Sequence, residues 1–517
     1  MKIAVVGSGV SGLAATWLLN EYSNHEVHLY EAESRPGGHA NTISFVQEGK
    51  APIDVDTGFI VFNPITYPNF LRFLNLYPHL RERILRTTMS FSVSRNAGAF
   101  EWAGTSLDSV FCQRHRLLDP SMWRMLYDIL HFNACAPRAL CKSKLENLSI
   151  GEYLKTEGYS DSFRDNYLIP MTAAIWSTPP DKCFLDFPAQ TLVQFMHNHH
   201  LLQIIGRPSW LTLHGGSRTY VDQILSALPA EQLHLSTPVI AVNRRASDLP
   251  THIDDPACVE LLTAQGERIN YDHVILACHS DTALSILKAG DSASAVEEHV
   301  LGAFEWSKNI AVLHSDERLM PQNRKAWSCW NYLTSSTGTP NGTRKVNGDQ
   351  VSLTYWMNEL QHILEDTHGL IFVTLNPPFE PDLKLVKGRF QYEHPILGSK
   401  AIGSQNDMSA IRDHQGVSFA GAWLKYGFHE DGFTSGLRAA SALINEQSIQ
   451  EGQKCMPFEI VDADRRPNLV EMRLLPLIFD AFEGMGLRMI LGAFLGGCLA
   501  ILRMCLARTG RGLVCES

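Results

Sequence analysis

Short apolar runs ending at glycine recur along the chain and set the pattern of elements it predicts. Residues 2–6 form an apolar strand that runs into Gly7-Ser8-Gly9-Val10-Ser11-Gly12 and an apolar helix beyond. Residues 27–31 form a second strand that ends in an acid, Glu31. Further runs at 233–242, 258–262 and 273–278 are separated by polar turns and read as strands. Residues 416–422 make a strand ending at Gly421, and 432–440 a helix opened by Gly432. Between these segments, 309–314, 351–357 and 370–375 have the look of an antiparallel sheet. Residues 70–205 are rich in helical pattern and aromatics, and 334–348 is a polar loop. The uncharged run 489–502, bounded by Arg488 and Arg503, is short of the ~20 residues a spanning helix needs.

The pattern predicts an α/β protein. A discontinuous Rossmann-like domain takes 1–70, 205–300 and 395–450, and an α+β substrate domain takes the interleaved 70–205 and 300–395. An apolar helical tail, 455–517, is appended. Within it, 489–506 is a candidate membrane span or interfacial anchor, with a helix packed on the body or an oligomer contact as alternatives.

Composition changes this picture little. The chain has 517 residues and 45% hydrophobic content, enough for two or three domains with substantial cores. Its net charge of −10 lacks the clustered basic footprint of a nucleic-acid binder. Eleven scattered cysteines, with no C-x-x-C pair, argue for reduced thiols and against a disulfide scaffold or dithiol redox site. With a strand beginning at residue 2, cleavage of a signal peptide would destroy the fingerprint. The expectation is a cytoplasmic or cytosol-facing, membrane-associated protein that is not secreted.

The glycine turn carries the first chemistry. Gly7 allows a tight turn, Gly9 lets backbone approach a pyrophosphate, and Gly12 lets the helix pack close to the strand, with Ser8 and Ser11 between them. The helix N-terminus offers free N–H groups and partial positive charge to phosphate. Glu31 stands where a carboxylate accepts from both ribose hydroxyls of an adenosine. Arg35-Pro36-Gly37-Gly38 then follows, and it separates the dinucleotides, since a nicotinamide enzyme does not need it.

This stretch resembles the second half of the FAD fingerprint of the glutathione-reductase-like flavoproteins, in the amine oxidase and phytoene desaturase branch. That family often has Arg or Lys after the glycine pair, where this chain has His39. Residues 419–436 are similar to the amine oxidase family's closing FAD motif. The resemblance implies non-covalent FAD held by Gly7, Ser8, Gly9, Ser11, Gly12, Glu31, Arg35, Gly37, Gly38, His39, Val239, Gly421, Glu430 and Asp431. It also implies backbone of Gly432, Phe433 and Thr434 at the flavin pyrimidine edge. The words Ala173-Ala174-Ile175-Trp176, His214-Gly215-Gly216-Ser217-Arg218, Trp330-Asn331-Tyr332, Tyr355-Trp356-Met357-Asn358, Glu393-His394-Pro395 and Gly427-Phe428-His429-Glu430-Asp431-Gly432 narrow it. They resemble an FAD-binding subgroup found beside bacterial cyclopropane fatty acid synthases and, more distantly, linoleate isomerases. The likeness covers about residues 1–445. Departures stand beside it: Ala422-Trp423 replaces an acid, Phe428 replaces the tyrosine of the amine cage, and no cysteine near the motif could form a thioether.

Flavin chemistry asks mainly for geometry. His429 is the candidate general acid–base, with Glu430 and Asp431 as flavin contacts or, in the case of Asp431, a helix cap. Lys308 falls where the family holds a water-binding lysine; an exposed strand-start lysine is the alternative. His197-Asn198-His199-His200 lacks the carboxylates or cysteines of a metal site, so no metal is expected, and it reads as channel lining or helix surface. Gly215-Gly216-Ser217 could approach the flavin. The expected reaction is hydride removal from a C–H to flavin N5, forming or shifting a double bond in a fatty acyl or other apolar substrate. An amine or natural-product oxidase and a non-catalytic FAD-binding partner of a lipid-modifying enzyme are the alternatives.

Overall fold

The computed structural model describes residues 1–141, 148–176, 187–203, 207–244, 259–334, 336–338, 344–346, 351–411, 415–444, 455–463 and 470–486, with 492, 497 and 501. A five-stranded parallel sheet lies at the base, in the order Val417–Phe419, His273–Leu276, Lys2–Val6, Glu26–Tyr30, Leu233–His234. Its strands are nearly continuous apolar runs because both faces are covered. The helix Val10–Tyr22 is buried without interruption from Ser11 to Leu19, held between this sheet and the helix His429–Ser441. That approach needs glycine: a Cβ at Gly436 would lie 2.0 Å from the Ser11 carbonyl oxygen, and one at Gly432 2.6 Å from Val10 Cγ1.

The apolar run 233–242 divides. Leu233–His234 joins the parallel sheet, while Val239–Arg244 pairs with Val259–Thr263 in a separate three-stranded sheet. Between them the Thr237 N–H turns back to the Glu31 carbonyl (2.8 Å).

Above the cofactor layer stands a seven-stranded sheet in the order Val386–Ile396, Glu305–His314, Phe372–Leu375, Ser352–Trp356, Trp330–Thr334, Phe91–Arg95, Phe100–Ala103. The strands expected from 309–314, 351–357 and 370–375 lie at its centre. Phe91–Arg95 and Phe100–Ala103 were concealed within the helical stretch 70–205; their short alternation, burying Val93 and Trp102, is overshadowed by the helices around them. Part of the polar loop is a hairpin, Ser336–Gly338 with Arg344–Val346. Helices Pro120–Cys135, Ile169–Trp176 and Ala189–Asn198 pack with this sheet in one large apolar core. The candidate span 489–506 lies almost wholly outside the described residues. Among the described residues no helix is long and apolar enough to cross a membrane.

Candidate functional site

A cavity of about 590 Å³ runs between the two layers. At one end its wall is the fingerprint: Gly7, Gly9, Ser11 and Glu31. Gly7 sits at φ +104°, and a Cβ there would come 2.8 Å from the Ala277 carbonyl oxygen. A Cβ on Gly12 would be 1.8 Å from the Gly7 oxygen, so turn and helix close on each other only through glycine. At Gly9, by contrast, a Cβ would meet nothing within 4 Å: this backbone faces the open cavity.

Glu31 is held before anything binds. One carboxylate oxygen accepts from the Ser8 N–H (2.9 Å) and the Ser8 hydroxyl, the other from the Glu33 N–H (2.9 Å). Arg35 does not reach the cavity wall. It braces the glycine pair, donating to the Gly38 carbonyl (2.9 Å) and pairing with Glu33. Gly37 and Gly38 adopt φ +109° and +57°, and Gly38 lies against Gly9. Val239 is buried at its strand start and is not part of the wall.

The middle of the cavity is lined by Gly38, His39, Gly58 and Phe59 on one side and Gly421 and Ala422 on the other. The His39 Nε2 atom is buried without a hydrogen-bond partner among the described residues. A backbone open at Gly9, a prepositioned carboxylate at Glu31 and an unsatisfied buried ring nitrogen at His39 fit a dinucleotide extending from adenosine to a flavin.

The cluster at residues 429–434 departs from expectation. His429 does line the cavity, but its ring stacks on Phe59 (centroids 3.7 Å apart), its Nε2 pairs with the Tyr220 hydroxyl (2.8 Å), and burial pushes its pKa down to about 3. Burial therefore favours the neutral ring, and the Tyr220 hydroxyl occupies its Nε2. Glu430 turns away from the cavity: it accepts from the Asn69 (2.8 Å) and Phe70 (3.0 Å) N–H groups, capping the helix Pro68–Leu76. Asp431 caps its own helix, accepting from the Phe428 (3.0 Å) and Tyr426 (3.2 Å) N–H groups. The Gly432 N–H donates to the Phe428 carbonyl (3.0 Å) and is spent inside the helix rather than offered to a ligand. Phe433 is core, and Thr434 hydrogen-bonds to Asn69 and Glu430.

Lys308 is the second correction. Alternation along Glu305–His314 buries Ser307 and Asn309 and turns Lys308 outward, where its side chain is 73% exposed and pairs with Glu393 (3.6 Å). Gly215-Gly216-Ser217 does not approach the cavity either; its Ser217 N–H and hydroxyl bind the buried Asp56 carboxylate.

What stands at the cavity in place of Lys308 is His394, seen in the sequence only as part of a motif. Its orientation comes from a relay. The Ile310 N–H donates to Asn376 Oδ1 (2.9 Å), Asn376 Nδ2 donates to Asn309 Oδ1 (2.7 Å), and Asn309 Nδ2 donates to His394 Nδ1 (3.0 Å). With Nδ1 accepting, the proton sits on Nε2. Burial pushes the ring down to about 4, so it is a neutral donor. Beside it, His279 stacks on Trp306 (3.7 Å) and faces Glu393 (3.5 Å).

The far end is apolar and aromatic: Ile60, Met89, Ile175, Trp176, Phe195, Leu201 and Phe428, with Phe195 stacked on Phe428 (5.3 Å). Its polar member, His199, points Nδ1 at the Phe195 carbonyl (3.0 Å) and is pushed by burial to about 4. No group of His, Cys, Asp and Glu among the described residues could hold a metal.

Comparison with known proteins agrees with this geometry. The model of the flavin-containing amine oxidoreductases matches residues 10–289. Three solved structures share the fold, each over nearly its whole length. Cyclohexylamine oxidase from Brevibacterium oxydans is 16% identical over 85% of this chain and 98% of its own, with a TM-score of 0.52. A CLA-producing fatty acid isomerase from P. acnes is 12% identical over 86% and 98%, with a TM-score of 0.55. Reduced UDP-galactopyranose mutase is 16% identical over 86% and 95%, also at 0.55. No curated protein matches in sequence. The chain belongs to the flavin-containing amine oxidoreductase family and is an FAD-dependent oxidoreductase.

Proposed function

We propose that this oxidoreductase acts on a fatty acyl or similarly apolar chain, removing hydride from a C–H to form or shift a double bond. The observation that carries the reading is the apolar far end of the cavity, closed by Trp176, Phe195 and Phe428 and holding no carboxylate among the described residues. Fold does not choose the substrate, since the same fold serves a cyclohexylamine oxidase and a fatty acid isomerase.

When bound, FAD supplies the two-electron hydride acceptor. The remaining tasks belong to the chain. The aromatic wall orients an apolar substrate and excludes water, which keeps the reacting C–H in one pose. His394 presents a fixed Nε2–H to the cavity, suited to a carbonyl or to charge developing on an acceptor atom, and the Asn309–Asn376 relay makes those asparagines positioning residues. On this reading the flavin would be held without a covalent bond. Among the described residues Cys278 is the cysteine at the cavity wall, and burial pushes its thiol up to about 12.

Anaerobic mixing with candidate reductants tests the reading. Bleaching of the yellow flavin by unsaturated acyl lipids, or double-bond migration in them without net reduction, is the expected result. Bleaching by amines alone would replace it with an amine oxidase. A flavoprotein inert to both classes would be a non-catalytic partner.

A further inference from the structure

The helix Leu475–Gly484, with the turn Val470–Leu474 before it, turns apolar side chains to water while its two acids pair with the body. Arg138 grips Asp480 with both terminal nitrogens (2.8 and 2.6 Å), and the Tyr127 hydroxyl donates to Glu483 (2.5 Å). Phe479 and Phe482 pack beside them on Tyr127. Its outer face carries the apolar groups: Leu474, Leu477, Ile478 and Met485 fall at helical spacing and are 57%, 55%, 68% and 61% exposed. On the helix Pro120–Cys135 that supports it, Trp123 and Leu130 are also exposed and flank Tyr127 by sequence spacing.

We propose that this face docks on the surface of an anionic lipid bilayer, without crossing it. Charge selects the occupant. The chain as a whole has a net charge of −10, yet beyond residue 486 it carries Arg488, Arg503, Arg508 and Arg511 against one acid, Glu516, around the apolar run 489–502. Arginines bordering an apolar run that follows, in sequence, an exposed apolar helix face match a headgroup region over acyl chains. A second copy would meet this face through apolar contact alone, and gel filtration separates that case from a bilayer. The docking face also adjoins the cavity wall: Glu471 lies 4.0 Å from His197 on the helix Ala189–Asn198, whose Phe195 lines the apolar end. The inference stands on this surface and does not need the substrate reading to hold.

Sedimentation of the full-length, flavin-loaded protein with vesicles tests it. Binding is expected to vesicles of phosphatidylcholine and phosphatidylglycerol in equal parts, and to fall roughly tenfold on phosphatidylcholine alone. The double variant Leu477→Glu, Ile478→Glu should lose at least about tenfold in binding to the mixed vesicles, with flavin absorbance and melting temperature unchanged. Should it fail to load flavin, Leu477→Gln with Ile478→Gln serves in its place. Wild-type protein that ignores both vesicles, or variants that sediment like wild type, would overturn the proposal. So would a variant whose only change is from dimer to monomer on gel filtration, since the face would then be a contact between copies.

Discussion

At the fingerprint end of the cavity the working parts are backbone. Gly7 holds a positive φ, Gly12 touches the Gly7 carbonyl, Gly38 lies on Gly9, and Glu31 is pinned by Ser8 and Glu33. These residues are neighbours in sequence or joined by one strand pair. At the apolar end the parts are side chains, delivered from Ile169–Trp176, Ala189–Asn198, the loop before His429 and the seven-stranded sheet. The first end tolerates almost no change of residue type, because space and torsion decide it. The second tolerates change of type, provided volume and polarity are kept. Cofactor specificity is thus written in local geometry and, on the function proposed, substrate specificity in packing.

The largest expected effect tests the first half of that contrast. Gly12→Ala drives a Cβ into the Gly7 carbonyl oxygen. The protein should be isolated colourless, with FAD affinity reduced at least about 100-fold, or ~3 kcal/mol; retention of the yellow spectrum would contradict it. At the other end, Phe195→Ala should cost roughly 3 kcal/mol of stability, read by denaturant unfolding, while the remaining folded protein still binds FAD. Loss of flavin binding there would break the separation between the two ends.

A smaller effect concerns the seam between them. Glu430 is buried, and desolvation raises its pKa to about 8 despite the two backbone N–H groups that favour its charged form. A carboxyl raised in the folded state binds its proton better than in the unfolded chain, so its stabilisation is complete below the usual carboxylate range and is lost as pH rises through about 8. The buried His199 and His429, lowered to about 4 and about 3, act oppositely, losing stability as pH falls below the usual imidazole range. The difference in melting temperature between wild type and Glu430→Gln should therefore shift by a few degrees, of order 1 kcal/mol, in favour of the variant between about pH 5 and 8. A difference that is flat with pH would place the charged carboxylate in the fold at all pH. The smallest effect is that of Lys308→Met: turnover and flavin spectrum should stay within about twofold of wild type, since its exposed pair with Glu393 contributes little.

How far the sequence could be read follows the same divide. The Gly7 to Gly38 fingerprint and the parallel strands around it were legible, because a glycine turn between a buried strand and a helix carries its conformation in residue type. Lys308 was misplaced because one step of register along Glu305–His314 exchanges the faces, and the pairing Lys308–Glu393 that sets it joins segments far apart in sequence. Glu430 looked like a flavin ligand because its true partners, the Asn69 and Phe70 amides, belong to a distant helix. His394 carried no signal of its own; its neutrality and tautomer come from Asn309 and Asn376, which nothing local connects to it.

By itself, then, the sequence determined the parallel sheet, the dinucleotide turn and the class of cofactor, since torsion and Cβ exclusion act within a few residues. Only the tertiary structure decided which ionisable groups face the cavity, which are spent as helix caps, and that burial holds the cavity histidines neutral. Those properties depend on desolvation and hydrogen-bond partners, and the chain supplies both only when distant segments meet.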